Sequence, residues 1–166
     1  MERGKRRGKR SMAKPTPQNI DAFLGHHLRY EVQMLRITYA FLRHGIPAVE
    51  GDKDARQLVA NVFIESFCVH ARNLIEFFEG IGNCDFDPTQ FAVAGYSVRK
   101  QLGPAYGKIC EQISHLTTGR TESVGKIDDT FRDDVLAKLE VEVERLEQNL
   151  APAFRLKWKV EPRQQQ

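Results

Sequence analysis

The chain has little of what would tie it to an export route or to a familiar catalytic apparatus. Only three cysteines occur in 166 residues, Cys68, Cys84 and Cys110. An odd number without C-x-x-C spacing builds neither a disulfide framework nor a zinc knuckle, so a reducing cytoplasm is the expected setting. No stretch reaches the roughly 18–20 uncharged apolar residues of a membrane span. The most apolar window, Leu58 to Val69, is interrupted by Asn61 and Glu65 and reads as a core helix, so no membrane is expected as a partner. The N-terminus lacks the apolar run of a secretory signal. Missing too are E-x-x-H, H-x-x-x-H, G-x-S-x-G and any Gly-rich phosphate cradle, so the sequence offers no motif for a metal, a serine nucleophile or a nucleotide cofactor.

What is present begins with an uneven charge. Residues 1–14 hold seven basic side chains and one acid, so with +3 overall the remaining body is net −3. A sequence pI near 8.8 therefore describes a basic tail on a mildly acidic domain, not a basic binding face. Three readings of the tail stay open: a solvated arm, an over-extended start with initiation at Met12, and a phosphate-binding arm.

Apolar periodicity then marks four long helices. From Asn19 to His44 the residues Ile20, Phe23, His27, Tyr30, Met34, Ile37, Phe41 and His44 recur at steps of three and four. Leu24, Leu28, Leu35 and Leu42 run beside them and widen the expected buried face, and Arg29, Arg36 and Arg43 mark the expected wet side. A second helix over about 54–78 is apolar around most of its circumference and should be central. A third spans about 104–118 and closes at Gly119; a fourth spans about 130–150, with Thr130 and Asp133 as a capping box. Between the second and third, Asp87-Pro88 can start a short helix. After Pro152 the residues Phe154, Leu156, Trp158 and Val160 alternate with basic ones, which is a strand signal. The expected fold is all-α, an up-and-down four-helix bundle over residues 18–152, with a basic tail at 1–17 and a short C-terminal extended arm at 153–166.

Polar residues inside the second helix carry the functional reading, because burying them without partners is costly. Ser66, His70 and Asn73 share a face, Arg72 and Glu76 are spaced for an i,i+4 pair, and Glu65 and His70 are candidate binding residues. One account is a polar network fixing the register of two helices. The other is a site between helices, with His115 as general acid or base and a cation stabilising a phosphate.

A polar HARN segment (His70 to Asn73) in an apolar helix, followed by a basic residue and ISHLT on a later helix, resembles HEPN-type helical bundles. That resemblance implies a four- to five-helix domain, often dimeric, and many members are RNases of bacterial defence or toxin–antitoxin systems. Their motif is an Arg, a polar neighbour and a His after four to six intervening residues. Here Lys108 stands in the place of the Arg, Ile109 in that of the polar neighbour, and His115 matches the His; a single lysine cannot grip phosphate as a planar guanidinium does. Lys108, His115, Arg72 and Asn73 are then the catalytic set. The leading expectation is a non-enzymatic interaction module, homo-oligomeric or with a protein partner; the alternative is an RNA-binding or RNA-cleaving domain.

Overall fold

Pro17 cannot donate a backbone hydrogen bond, and Thr16 before it can cap, so the first helix starts there. In the structure, a computed structural model that describes residues 16–45, 53–82, 84–114 and 127–162, the Thr16 hydroxyl accepts from Asn19 N at 3.2 Å while the Asn19 side chain accepts from Thr16 N at 3.0 Å. Helix α1 (Pro17–Ala22) runs through a π turn (Phe23–His27) into α2 (Leu28–His44). Helices α3 (Lys53–Glu79), α4 (Gly103–Ser114) and α5 (Asp129–Gln148) complete the body, and a single turn, α6 (Pro152–Arg155), follows. The protein is all-α, and among the described residues the only sheet-like feature is one bridge, Ala92 with Leu150. Helix α3 packs on α2, α4 and α5, which makes it the central helix.

The π turn changes which face of the first rod is buried. The Leu28 N–H reaches back to the Phe23 carbonyl, one residue further than in an α-helix. That wider turn lets Leu24, Leu28 and Val32 follow one another at steps of four, then Leu35, and all four are fully buried. Steps of three and four assume unbroken α geometry. Beyond the turn the line through Tyr30 and Ile37 therefore faces outward, with these side chains 54% and 48% exposed. Of the expected wet side Arg43 is exposed, whereas Arg36 is drawn in and grips Glu140 of α5 through Nε and Nη2 at 2.7 and 2.6 Å.

Around α3 the core is aromatic. Phe67 and Phe78 are sealed from solvent, and Phe23, Phe77, Phe86 and Phe91 form one ring cluster closed by Phe154. From α5, Leu136, Leu139, Val143 and Leu146 face inward as their spacing requires. Its cap is Asp128, whose side chain accepts from Phe131 N at 2.8 Å, so the Thr130–Asp133 box does not form. Asp87 caps a 3-10 turn (Pro88–Gln90), as its position before proline suggested. The Glu79 carboxylate accepts from Gln101 N at 2.8 Å and also from Leu102 N, satisfying donors at the start of α4.

After Pro152 no strand forms. Proline at the first helical position starts a turn instead, and Leu156 is left 88% exposed while Trp158 and Val160 are buried. Residues 156–162 lie along the first rod, where Arg36 donates to the Glu161 carbonyl at 2.6 Å, Arg29 pairs with the Glu161 carboxylate at 2.8 Å and Lys157 pairs with Asp21. The backbone pairing expected of this arm falls earlier, where Ala151 N donates to the Phe91 carbonyl at 2.9 Å and Val93 N to the Asn149 carbonyl at 2.8 Å.

Cys68 is fully buried, and burial pushes its thiol up from 9.0 to about 12, Arg132 opposing. The unfolded thiol ionises from pH 9 while the folded one stays protonated, so this contribution is complete below pH 9 and is lost as pH rises toward 12. Between pH 9 and 11 the parent should lose about 1.4 kcal/mol per pH unit more than Cys68→Ala. Urea midpoints across that range measure it; parallel curves would rule it out.

Candidate functional site

The HARN segment meets α2. The His70 ring donates from Nδ1 to Glu31 Oε2 at 2.7 Å, and the Asn73 amide donates to the same oxygen at 3.1 Å. A ring nitrogen facing a carboxylate carries its proton there, which fixes the His70 tautomer. His70 is 7% exposed and takes the Tyr30 ring edge-on at 5.5 Å. Glu31 is the partner that reading α3 and α4 alone did not supply. Its signal was faint: an acid on an apolar helix, one position after Tyr30.

Arg72 turns the other way. Its Nε donates to Glu76 Oε1 at 2.8 Å, as the i,i+4 spacing suggested, and the Tyr106 hydroxyl of α4 donates to the same oxygen at 2.8 Å. Burial, then the bond to Glu76, pushes the Tyr106 phenol up to about 12. Bonding to Glu76 likewise holds the Arg72 guanidinium above its ordinary range. Gly82 closes this end: its φ is +80°, and a Cβ there would lie 2.4 Å from the Glu76 carboxyl carbon.

Lys108 is separated from Arg72. Its ammonium sits over the Phe131 ring of α5 at 4.5 Å from the centroid. Lys108 is two positions after Tyr106, about 200° around a helix, so the two point to opposite sides of α4. Glu65 is exposed on α3. His115, the Leu116 to Gly119 end of the third helix and the tail at 1–15 lie outside the described residues. The structure thus joins His70 and Asn73 through Glu31, joins Arg72 to Tyr106 through Glu76, and sets Lys108 apart from both groups.

The two joined groups flank one concavity. Beside the π turn, a cavity of about 180 Å³ opens between α2, α3 and the following loop, with Phe23, Leu28, Leu74 and Phe77 as its apolar wall. Glu31, Asn73 and Glu76 supply its polar atoms, with His27 and Cys84 completing the lining. Burial raises the Cys84 thiol, so this sulfur stays protonated and is no activated nucleophile. Among the described residues no three His, Cys, Asp or Glu side chains gather as metal ligands.

Comparison with known proteins finds no match. The chain matches no family model, no curated protein and no solved structure.

A second surface feature lies on the same side of the α2–α3 pair. Leu58, Val62 and Val69 are 66%, 58% and 41% exposed. At spacings of four and seven they fall within about 40° of one another around α3. Phe41 meets Phe63 at 4.9 Å and Tyr30 meets His70, which joins this line to Tyr30 and Ile37 across the seam between helices. By length and composition α3 is apolar enough to cross a bilayer, a test that the core helix of a folded domain also passes. Only 33% of its most apolar stretch is buried inside the fold.

Proposed function

We propose that this chain is a self-associating interaction module whose contact is the apolar face of α2 and α3. The observation that carries the reading is the exposure of Leu58, Val62, Val69, Ile37 and Tyr30 on one side of a helical pair. Isolated surface apolar residues are ordinary, whereas a contiguous patch marks an interface. From Leu58 to Val69 the line runs about 17 Å, and two helices packed 8–10 Å apart give a patch of roughly 300 Å². That matches the apolar centre of a standard contact of about 800 Å² per partner, surrounded by a polar rim.

A second copy suits the face because the face is its own complement. Phe41 lies opposite Phe63 and Glu31 opposite His70, which levels Ile37 with about residue 66. Reversing a second α2–α3 pair about a two-fold axis at that level sets Ile37 against Ile37 and Val62 against Val69, as an isologous interface requires. In the C-terminal segment Trp158 and Val160 are buried against their own chain, which leaves the α2–α3 face as the larger apolar surface.

Light scattering coupled to size exclusion should give twice 19.0 kDa for the parent. A glutamate at Val62 or Leu58 buries a charge in that contact and should weaken association about 100-fold, near 3 kcal/mol. A monomeric parent at high micromolar concentration, or an unchanged mass for Val62→Glu, overturns the reading. A monomer that pellets with lipid vesicles would assign the face to a membrane instead.

The HEPN resemblance supports a second reading, an RNA-binding or RNA-cleaving domain, and the half-exposed Arg72 beside Asn73 on α3 offers it a cation. Its test is RNA degradation. Cleavage by the parent that His115→Ala abolishes would establish it, and no cleavage by either would remove the nuclease.

A further inference from the structure

The cavity beside the π turn has a composition that structural packing alone does not call for. At about 180 Å³ it is slightly larger than an apolar cavity that accepts benzene, and below the span of drug-sized sites. Its wall holds the Phe23 and Phe77 rings, while Glu31 and Glu76 bring carboxylates to the same space. Glu76 is compensated by Arg72 at 2.8 Å. Glu31 is not: both of its hydrogen bonds, from His70 and Asn73, end on Oε2, and Oε1 has no hydrogen bond among the described residues. The site therefore presents an open carboxylate oxygen beside aromatic and aliphatic surface. The π turn that shapes one wall is a feature often found at functional sites.

We infer that this cavity binds one side-chain-sized organic cation, an alkylguanidinium or alkylammonium group, with the charge on Glu31 and the alkyl part against Phe23, Leu74 and Phe77. The Asn73 carbonyl is the second acceptor, since its amide nitrogen is already given to Glu31. Cation–π attraction to Phe23 or Phe77 favours the same charge. The group can come from two sources: a free amine, or an arginine or lysine side chain of a partner chain. This site is distinct from the self-association face and does not depend on it.

Titration calorimetry at about pH 8, above the ordinary histidine range, tests this with n-butylguanidinium, n-butylammonium and the neutral isostere n-butylurea. The guanidinium should bind with Kd about 1 mM or tighter for its size, and the urea at least about tenfold more weakly. Glu31→Gln keeps an acceptor for His70 and Asn73 and should lose about tenfold for the cation with no change for the urea. Cys84→Leu fills the cavity from the loop and should abolish binding of both. Repeating the titration in Val62→Glu separates this site from association. Tighter binding of acetyl-Ala-Arg-Ala-amide than of n-butylguanidinium identifies a partner's side chain as the source, and the reverse a free amine. No binding by any probe, equal binding of the urea, or an unchanged affinity in Glu31→Gln overturns the inference.

Discussion

Phe91→Ala should cost about 3–5 kcal/mol, the range for deleting a buried aromatic ring. Phe91 is fully buried. Its ring lies 5.7 Å from Phe23, stacked, and 5.5 Å from Phe154, edge-on, with Phe77 and Phe86 at 6.3 and 6.1 Å. Those rings come from the π turn, α3, the loop before the 3-10 turn and α6. Elements so different in origin cannot collapse together into the space a ring leaves, so the cavity term should persist. The backbone adds to the effect, because the Phe91 carbonyl accepts from Ala151 N at 2.9 Å. Urea unfolding at constant slope should show the full loss, and amide exchange should rise both near residues 91–93 and near 149–151. Leu156→Ala, at an 88% exposed position, is the control and should stay within about 0.5 kcal/mol of the parent. A Phe91→Ala loss below about 1 kcal/mol would mean that the cluster is not a single packed unit.

The helices were readable because burying one stripe per helix imposes a period, and that period survives in α5 and in α3 from Phe67 onward, whereas Leu58 and Val62 earlier in α3 are exposed. In the first rod the buried line Leu24, Leu28 and Leu35 was readable as part of the core face, but the outward turn of Tyr30 and Ile37 on the neighbouring line was not. One extra residue in the Phe23–His27 turn rotates everything after it, and nothing in FLGHH announces a π turn. The same limit hid Glu31. A buried histidine demands a partner, but the sequence does not say which helix provides it: α2 does, whereas Tyr106 of α4 serves Glu76. On α5, Glu144 is exposed while Glu140 and Glu142 are 4% and 1% exposed because arginines reach over them. Long basic side chains cover surface as well as charge it, so alternating signs on a helix do not distinguish a wet face from a paired one. At the C-terminus, Pro152 imposed a helical turn on residues whose alternation favoured a strand.

Arg145→Met should cost about 3–5 kcal/mol, although Arg145 itself is partly exposed, because of what it leaves behind. Glu142 has a side chain only 1% exposed, and Arg145 Nη1 donates to both of its oxygens at 2.8 and 2.9 Å. The other terminal nitrogen donates to the Ser97 carbonyl at 3.0 Å, and the guanidinium lies 5.7 Å from the Tyr96 ring. Removing it strands a carboxylate in a dry site and frees the loop that carries Tyr96. The Tyr96 hydroxyl is itself buried with no hydrogen-bond partner among the described residues, and burial, then the charge of Glu142, pushes it up to about 12. The double variant Glu142→Leu/Arg145→Met removes both charges together and should return to within about 1 kcal/mol of the parent or exceed it. That recovery separates two explanations that the single variant cannot. If Arg145 acts by packing on Tyr96 and holding Ser97, the double variant should remain as unstable as the single one; if it acts by neutralising Glu142, stability should come back with the carboxylate gone.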